Sequence, residues 1–515
     1  FGSSTYYGSR AVNSPPAFQM RLHYALCSVL VVFGHAEDSL HSNAEELSYA
    51  PTMKRALRRH PELRAQKLLK AGPPKNAKNV LLFLLDDMRP NLGAYNSSVA
   101  YTPNMDSLAA EGLTFSRAYA NYAWCAPSRN SFLSGRLPDT TRTFNFGDHF
   151  REPGIGDKWR SMPEYFKEHG YTTANSGKIF HKMKPPNNDY PRSWTLKPFT
   201  PYCSPPSCPD STASFIEHAT HHHVCLERGV SEDVWKDYCA LNVSKDEGRI
   251  EYQLEDQAVR DNCIEQLREV NTLGKPFFLA CGFHKPHMPW VFPAEFLSHY
   301  PPHEEIPLAR HHQAPTGIPR IAWHAPPGTI TGLSHHFNGT DDPQIARRYR
   351  RAYYASISYN DYNVGKVLEA LDQLGRKEDT LVVLTSDHGF HLGEQHIWSK
   401  MTNFELGLRV PLIVRAPWLS KSAGKVTPVL AELVDLYPTL AELAGLPHPW
   451  SEGEWVNGTS LAAVFQEPFN VAMKSFAFSQ FAKPKADDPF KVSVEMRRNE
   501  TEVMGYTIRN DRWRY

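Results

Sequence analysis

Three things are scarce in this 515-residue chain: net charge, cysteine and long apolar runs. Lysine and arginine (56) nearly cancel aspartate and glutamate (55), which leaves +1 with histidine neutral. That balance excludes a polyanion-binding basic tail and an acidic solvating one, so a charged substrate must be met by a local cluster. Of the eight cysteines, Cys27 lies in an apolar N-terminal run, Cys125 stands alone, and six fall between Cys203 and Cys281. Cys203, Cys208, Cys225 and Cys239 share one Pro/His-rich stretch that disulfides could staple; with Cys263 and Cys281 included, no connectivity is readable. The apolar run Tyr24–Phe33 is about half the ~20 residues that a membrane-spanning helix needs, and no other stretch comes closer. A transmembrane anchor is therefore not expected.

What is present is an ordinary globular composition, 41% hydrophobic and 22% charged, long enough for one large α/β domain and a smaller one. Prolines (41) crowd particular stretches and predict long, ordered surface loops. Met20 opens "MRLHYALCSVLVVFGHAED", one positive charge and an apolar run ending in Gly34-His35-Ala36. This fits a signal peptide over 20–36, cleaved after Ala36, with 1–19 as upstream, non-native sequence. Five N-x-S/T sequons, at Asn96, Asn242, Asn338, Asn457 and Asn499, agree with a glycosylated protein of the secretory pathway, lysosomal or extracellular.

After a polar lead (37–78), "NVLLFLLDD" (Asn79–Asp87) reads as a buried parallel strand, apolar on both faces. Helix and strand then alternate. Thr102-Pro103 opens "NMDSLAAEG"; "SMPEYFKEHG" precedes "YTTANSG"; "QAVRDNCIEQLREVN" precedes "PFFLACGFH"; and a helix from about Pro343 to Gly375 precedes "TLVVLTSDHG". That last helix should bury Tyr354, Ile357, Val364, Leu368 and Leu371. The pattern predicts a large, mostly parallel sheet with helices on both faces, spanning 79–423, with loop insertions at 183–250 and 300–342. From about Gly424 a helix, "TPVLAELVDLYPTLAELAGL", should lead into a small C-terminal α+β subdomain (424–515). Its final segment "GYTIRNDRWRY" reads as a strand without a partner after it, in an incomplete subdomain.

Chemistry-bearing residues follow the strands, where open α/β sheets bind ligands. Asp86-Asp87 and Asp387-His388 each end an apolar strand. Adjacent carboxylates repel and raise each other's pKa unless a hard cation takes their oxygens. N-capping of a following helix is the alternative for either pair alone, and two pairs at one sheet edge favour metal. Lys178 and His181, His284 with Lys285 and His287, and Lys400 would converge on the same edge; cations beside a metal make a receptor for sulfate or phosphate. The histidine tract His218–His223 tempts a zinc reading, but a loop tract explains it.

"CAPSRNSFLSGR" resembles the sulfatase signature C-x-P-S-R, and "GYTTANSGKIFH" the second signature of the same family. "NVLLFLLDDMRP", "CGFHKPHMPW" and "TSDHGFHLGE" complete an ordered set from about Asn79 to Tyr515. The resemblance is to the formylglycine-dependent type I sulfatases. Asp387-His388, "GFHKPH" and "MGYTIR" are nearest to their iduronate 2-sulfatase branch.

The resemblance implies an alkaline-phosphatase-like sandwich and hydrolysis of a glycan sulfate ester, foremost the 2-O-sulfate of an iduronate-type residue. It implies that a formylglycine-generating enzyme oxidises Cys125, and that the aldehyde hydrate attacks sulfur and later expels sulfate as the carbonyl re-forms. Asp86, Asp87, Asp387, His388 and the modified Cys125 would hold one Ca²⁺, with His388 the least usual ligand. Arg129 would brace the nucleophile, Lys178 and Lys400 the sulfate oxygens. His181 would take the proton as sulfate leaves, and His284 would protonate the departing sugar oxygen. Ser134 departs from the family's usual Thr, and Phe390 from the branch's Trp at what should be the mouth of the site. The alternatives are a sulfatase for another polysaccharide, a phosphodiester or phosphonate hydrolase of the same superfamily, and an inactive glycan-binding relative. The last would be marked by loss of Cys125 or a metal carboxylate, and this chain keeps them all.

Overall fold

The strand Asn79–Leu85 (β1) alternates its side chains between two cores: Leu81, Phe83 and Leu85 enter one, Val80, Leu82 and Leu84 the other. Both faces are apolar because both are covered by helices. The computed structural model describes residues 72–182, 184–201, 238–241 (backbone), 254–324, 333–337, 339–470, 473–483 and 497–515. The signal peptide, residues 37–71 of the polar lead, Asn242, Asn338, Cys203, Cys208, Cys225, the His218–His223 tract and the side chain of Cys239 lie outside them.

The remaining strands of the main sheet are β2 (Leu113–Tyr119), β3 (Thr172–Gly177), β4 (Phe277–Phe283), β5 (Thr380–Ser386), β6 (Arg409–Val410), β7 (Leu412–Arg415) and β8 (Lys425–Glu432). The order is β6-β2-β7-β5-β1-β4-β3, with β8 pairing β2. Pairings β1/β4, β1/β5, β3/β4 and β2/β8 are parallel; β6 and β7 insert antiparallel beside β2 and β5. The predicted parallel sheet is thus present, with antiparallel strands toward one side.

One face carries α1 (Pro103–Glu111), α4 (Glu255–Thr272) and α5 (Pro343–Gln373); the other carries α2 (Cys125–Ser134), α3 (Met162–Glu168) and α6 (Leu436–Leu443). The boundaries are written in the sequence. Ser161 and Glu164 form a reciprocal capping box at α3, and the Asp342 carboxylate caps α5 ahead of Pro343. Tyr354, Ile357, Val364 and Leu371 of α5 are buried, and Leu368 packs at the margin. Cys263 on α4 is disulfide-bonded to Cys281 on β4. Among the described residues no helix is long and apolar enough to cross a membrane.

One expectation fails. The helix expected from Gly424 begins only at Leu436; Lys425–Glu432 is strand β8, followed by a single 3₁₀ turn. Pro428 disfavours helix there, and the vacant edge of β2 supplies backbone partners that local propensity does not reveal. The final segment is a strand, as its sequence suggested: Val503–Arg509 (β10) pairs antiparallel with Ala477–Lys483 (β9), which precedes it.

Candidate active site

Strand register builds the site. Leu85 pairs with Phe283 on one side and Ser386 on the other, so Asp86, His284 and Asp387 emerge together from three adjacent strands. Gly177 opposite Gly282 places Lys178 on the fourth. These two glycines are obligatory: a Cβ on Gly177, at φ +82°, would stand 2.1 Å from the Gly282 carbonyl oxygen. The close approach lets the Lys178 N–H donate to Gly282 O at 2.8 Å.

Cys125 enters from the other side, at the start of α2 behind β2, and is 1% exposed. Its Sγ lies 3.4 Å from Asp86 Oδ1, 3.3 Å from His388 Nε2 and 3.4 Å from Lys400 Nζ. Lys178 is ion-paired with Asp86, and Lys400 with Asp87. Arg129, one turn along α2, donates Nε–H to Asp387 Oδ2 at 2.9 Å and Nη1–H to the carbonyls of Lys178 and Ile179. Its Nη2 is 3.6 Å from Asp86 Oδ1. Ser128 donates to the Asp387 carbonyl at 2.5 Å. Asp87 adopts φ +66°, held by Tyr353, whose hydroxyl donates to Asp87 O (2.8 Å) and accepts from Arg89 N (3.1 Å).

The ligand atoms of Asp86, Cys125, Asp387 and His388 lie within 4.8 Å of one another, as do those of Asp86, Asp87, Cys125 and His287. His287 is therefore part of the cluster, which its sequence position alone suggested only as a neighbour of His284. Three histidines share one device: His181, His287 and His388 each place Nδ1 on the carbonyl of the following residue. A carbonyl only accepts, so Nδ1 carries the hydrogen and Nε2 keeps its lone pair. For His388 that lone pair faces Cys125 and the carboxylates.

Charge balance at the site is tense. Burial pushes the Asp86 carboxyl up, but Lys178, His287, Arg129 and Lys400 outweigh it and hold the group well below the usual range. Asp87 is pushed up to about 7 by burial, opposed by Lys400 and reinforced by Asp86 and Asp387. Its Oδ2 is buried without a hydrogen-bond partner. Burial raises the Cys125 thiol far above its ordinary value, Asp86 adding to the shift. Burial also lowers His181, helped by Lys178 and Arg129, and lowers His284, helped by Lys285 and Lys182.

His181 stands one layer out, edge-on to Phe146, which packs against the Trp124 that precedes Cys125. Phe390 is not at the mouth. It is fully buried against Tyr353 and Trp290, because the Asp-His-Gly turn directs it back into the core. Of the described sequons, Asn96 and Asn499 are exposed, while the Asn457 amide oxygen accepts from Leu137 N and Thr140 Oγ1.

A parallel sheet whose strand ends gather carboxylates, ammonium groups and imidazoles around one buried side chain defines a hydrolase of the alkaline-phosphatase-like fold, built for a tetrahedral oxyanion ester. The sulfatase family profile matches residues 78–446. Iduronate 2-sulfatase of Mus musculus is 35% identical over 493 residues, covering 85% of this chain and 84% of that one. The Homo sapiens enzyme is 34% identical over 494 residues, covering 86% of each. The solved phosphonate monoester hydrolase of Agrobacterium radiobacter superposes with a TM-score of 0.65 at 22% identity, over 85% of this chain and 86% of that one, a likeness of fold. The chain belongs to the sulfatase family and is a sulfuric ester hydrolase. That family uses a formylglycine nucleophile and a metal ion.

Proposed function

We propose that this sulfatase removes the 2-O-sulfate from an iduronate-type uronic acid of a heparan- or dermatan-sulfate-like glycan, using formylglycine made from Cys125 and one bound Ca²⁺. The observation that carries the proposal is the setting of Cys125. A buried thiol whose pKa is pushed far up is a poor nucleophile, yet it lies at the focus of two lysines, an arginine and a metal-capable carboxylate cluster. Oxidation to an aldehyde supplies, as its hydrate, a hydroxyl nucleophile with a second hydroxyl for sulfate release.

The donor set fits a hard cation. Asp86, Asp87 and Asp387 offer oxygens, the buried Asp87 Oδ2 has no hydrogen-bond partner, and a divalent charge would relieve the repulsion that raises Asp87. Asp86, Asp87 and Asp387 would hold such an ion, which would supply Lewis-acid polarisation of the sulfate ester and the nucleophile. Lys178 and Lys400 would bind sulfate oxygens, with Arg129 holding Asp387 and the Lys178 loop in register. His181, kept neutral with its Nε2 lone pair free of the backbone, suits acceptance of a proton. His284 would donate one to the sugar oxygen, the negative sulfate opposing the forces that depress its pKa.

The uronate assignment rests on the identity to the two iduronate 2-sulfatases. Secretory-pathway maturation, with a formylglycine-generating enzyme as partner and a lysosomal or extracellular destination, is supported by the Cys263–Cys281 disulfide and the exposed sequons Asn96 and Asn499. Two measurements test the proposal: peptide mass spectrometry across Cys125 in protein from a eukaryotic host, and turnover of defined sulfated disaccharides beside a phosphodiester. Active protein holding only the unmodified thiol would overturn the nucleophile; faster turnover of the phosphodiester, or of disaccharides lacking a 2-O-sulfated uronate, would overturn the substrate.

A further inference from the structure

The first turn of α4 carries Glu255 and Asp256 side by side, both buried. Acidic residues in a first helical turn are ordinarily explained by the positive end of the helix dipole. These two also reach beyond the helix. The Asp256 carboxylate accepts the backbone N–H of His284 on Oδ1 (2.7 Å) and of Lys285 on Oδ2 (2.8 Å), clamping the turn that follows β4. Glu255 Oε1 pairs with Lys182 Nζ at 2.8 Å, beside His181 in the loop that follows β3. Its Oε2 is buried, without a hydrogen-bond partner, 3.7 Å from His284 Nδ1. The Lys182 carbonyl in turn accepts His181 Nδ1–H at 2.9 Å.

We infer that Glu255 and Asp256 are positioning residues that hold the two histidine-bearing loops at a fixed spacing, one carboxylate gripping each loop. The inference rests on His181 and His284 being the proton-transfer groups proposed above. Its reason is geometric. The two histidines serve opposite sides of one reaction and belong to different loops, and a displacement of about 1 Å costs as much as 10²-fold in rate. Asp256 fixes His284 through the main chain, and Glu255 couples that turn to Lys182 and the His181 backbone.

The test compares a 2-O-sulfated uronate glycoside, whose alkoxide leaves only with a proton, against 4-nitrophenyl sulfate, whose phenolate leaves without one. Asp256→Asn replaces one acceptor oxygen by an amide donor facing a backbone N–H. It should lower kcat about 10- to 100-fold on the glycoside and within about threefold on the aryl sulfate, with KM little changed. Added to His284→Ala, it should cost nothing further on the glycoside. Glu255→Gln, which loosens the His181 loop serving the sulfate-release step common to both substrates, should lower kcat on both to a similar extent; it carries the test if Asp256→Asn does not fold, and an unchanged kcat overturns the inference. Equal losses from Asp256→Asn on both substrates, or additive losses in the double variant, overturn the inference. If His284→Ala itself loses equally on both substrates, the assignment of the acid has failed and the inference falls with it. If only His284→Ala discriminates, the inference alone fails.

Discussion

Burial and the neighbouring Asp86 carboxylate hold the Cys125 thiol protonated at neutral pH, against the pull of Lys178 and Lys400. On the proposed mechanism, a residue so placed contributes little as sulfur and everything as a modified group. Cys125→Ala should therefore lower kcat by more than about 10³-fold while changing unfolding free energy by only about 1 kcal/mol; residual turnover well above that, or a collapse of stability, would contradict the assignment. At this scale the sequence was most legible. Asp86, Asp87, Asp387 and His388 stood out because acidic and imidazole groups directly after apolar strands need a reason to be there. His287 was visible only as a neighbour of His284, since nothing in "HKPH" tells which ring turns toward Asp87. Glu255 and Asp256 were silent: in sequence they are indistinguishable from acids that merely greet a helix dipole, and only the fold brings His284 N–H to them.

Strands β1, β3, β4 and β5 and helices α1, α3, α4 and α5 could be read from periodicity and punctuation, because burial on two faces or one leaves a clear pattern. β6, β7 and β8 could not: two are very short, and β8 carries a sequence that also suits a helix until β2 offers its edge. Two predictions belong to elements. A Cβ on Gly282 would lie 2.3 Å from Lys178 O, so Gly282→Ala must separate β3 from β4 and displace Lys178. The expected loss is about 2 kcal/mol in urea denaturation, with activity falling alongside it. The segment after the Asp-His turn is pinned by Glu394, which pairs with Arg89 (2.9 Å) and Arg350 (3.3 Å). Burial raises this carboxyl but the two arginines outweigh it, bringing the pKa from 4.5 down to about 2. Its folded pKa is below its unfolded value, so the stabilisation, about 3 kcal/mol, is present above pH 4.5 and lost as pH falls through 2. The stability gap between wild type and Glu394→Gln, followed by urea midpoints, should narrow from pH 5 to pH 3; a constant gap would remove Glu394 from this role.

The whole molecule assembles its site from distant chain segments: Asp87 N donates to Asp387 Oδ1 across 300 residues, and Lys400 reaches Asp87 across 313. A cation bound by such ligands stabilises only the folded state, by about 2.7 kcal/mol at a hundredfold excess over its Kd. Adding Ca²⁺ to chelated protein should raise Tm by several degrees, and Asp87→Asn should abolish the response. An unchanged response in the variant would place the ion elsewhere. The same closure bears on Cys125. Once β1, β4 and β5 flank it and α2 has formed, only 1% of the residue meets solvent, and Arg129 beside it is sealed. If Cys125 is oxidised by a partner enzyme, as proposed above, that enzyme cannot seize it in the finished protein. On that proposal the order of events in the cell becomes part of the catalytic apparatus: oxidation would come first and folding second, and a molecule that folded too early would be a permanently silent copy.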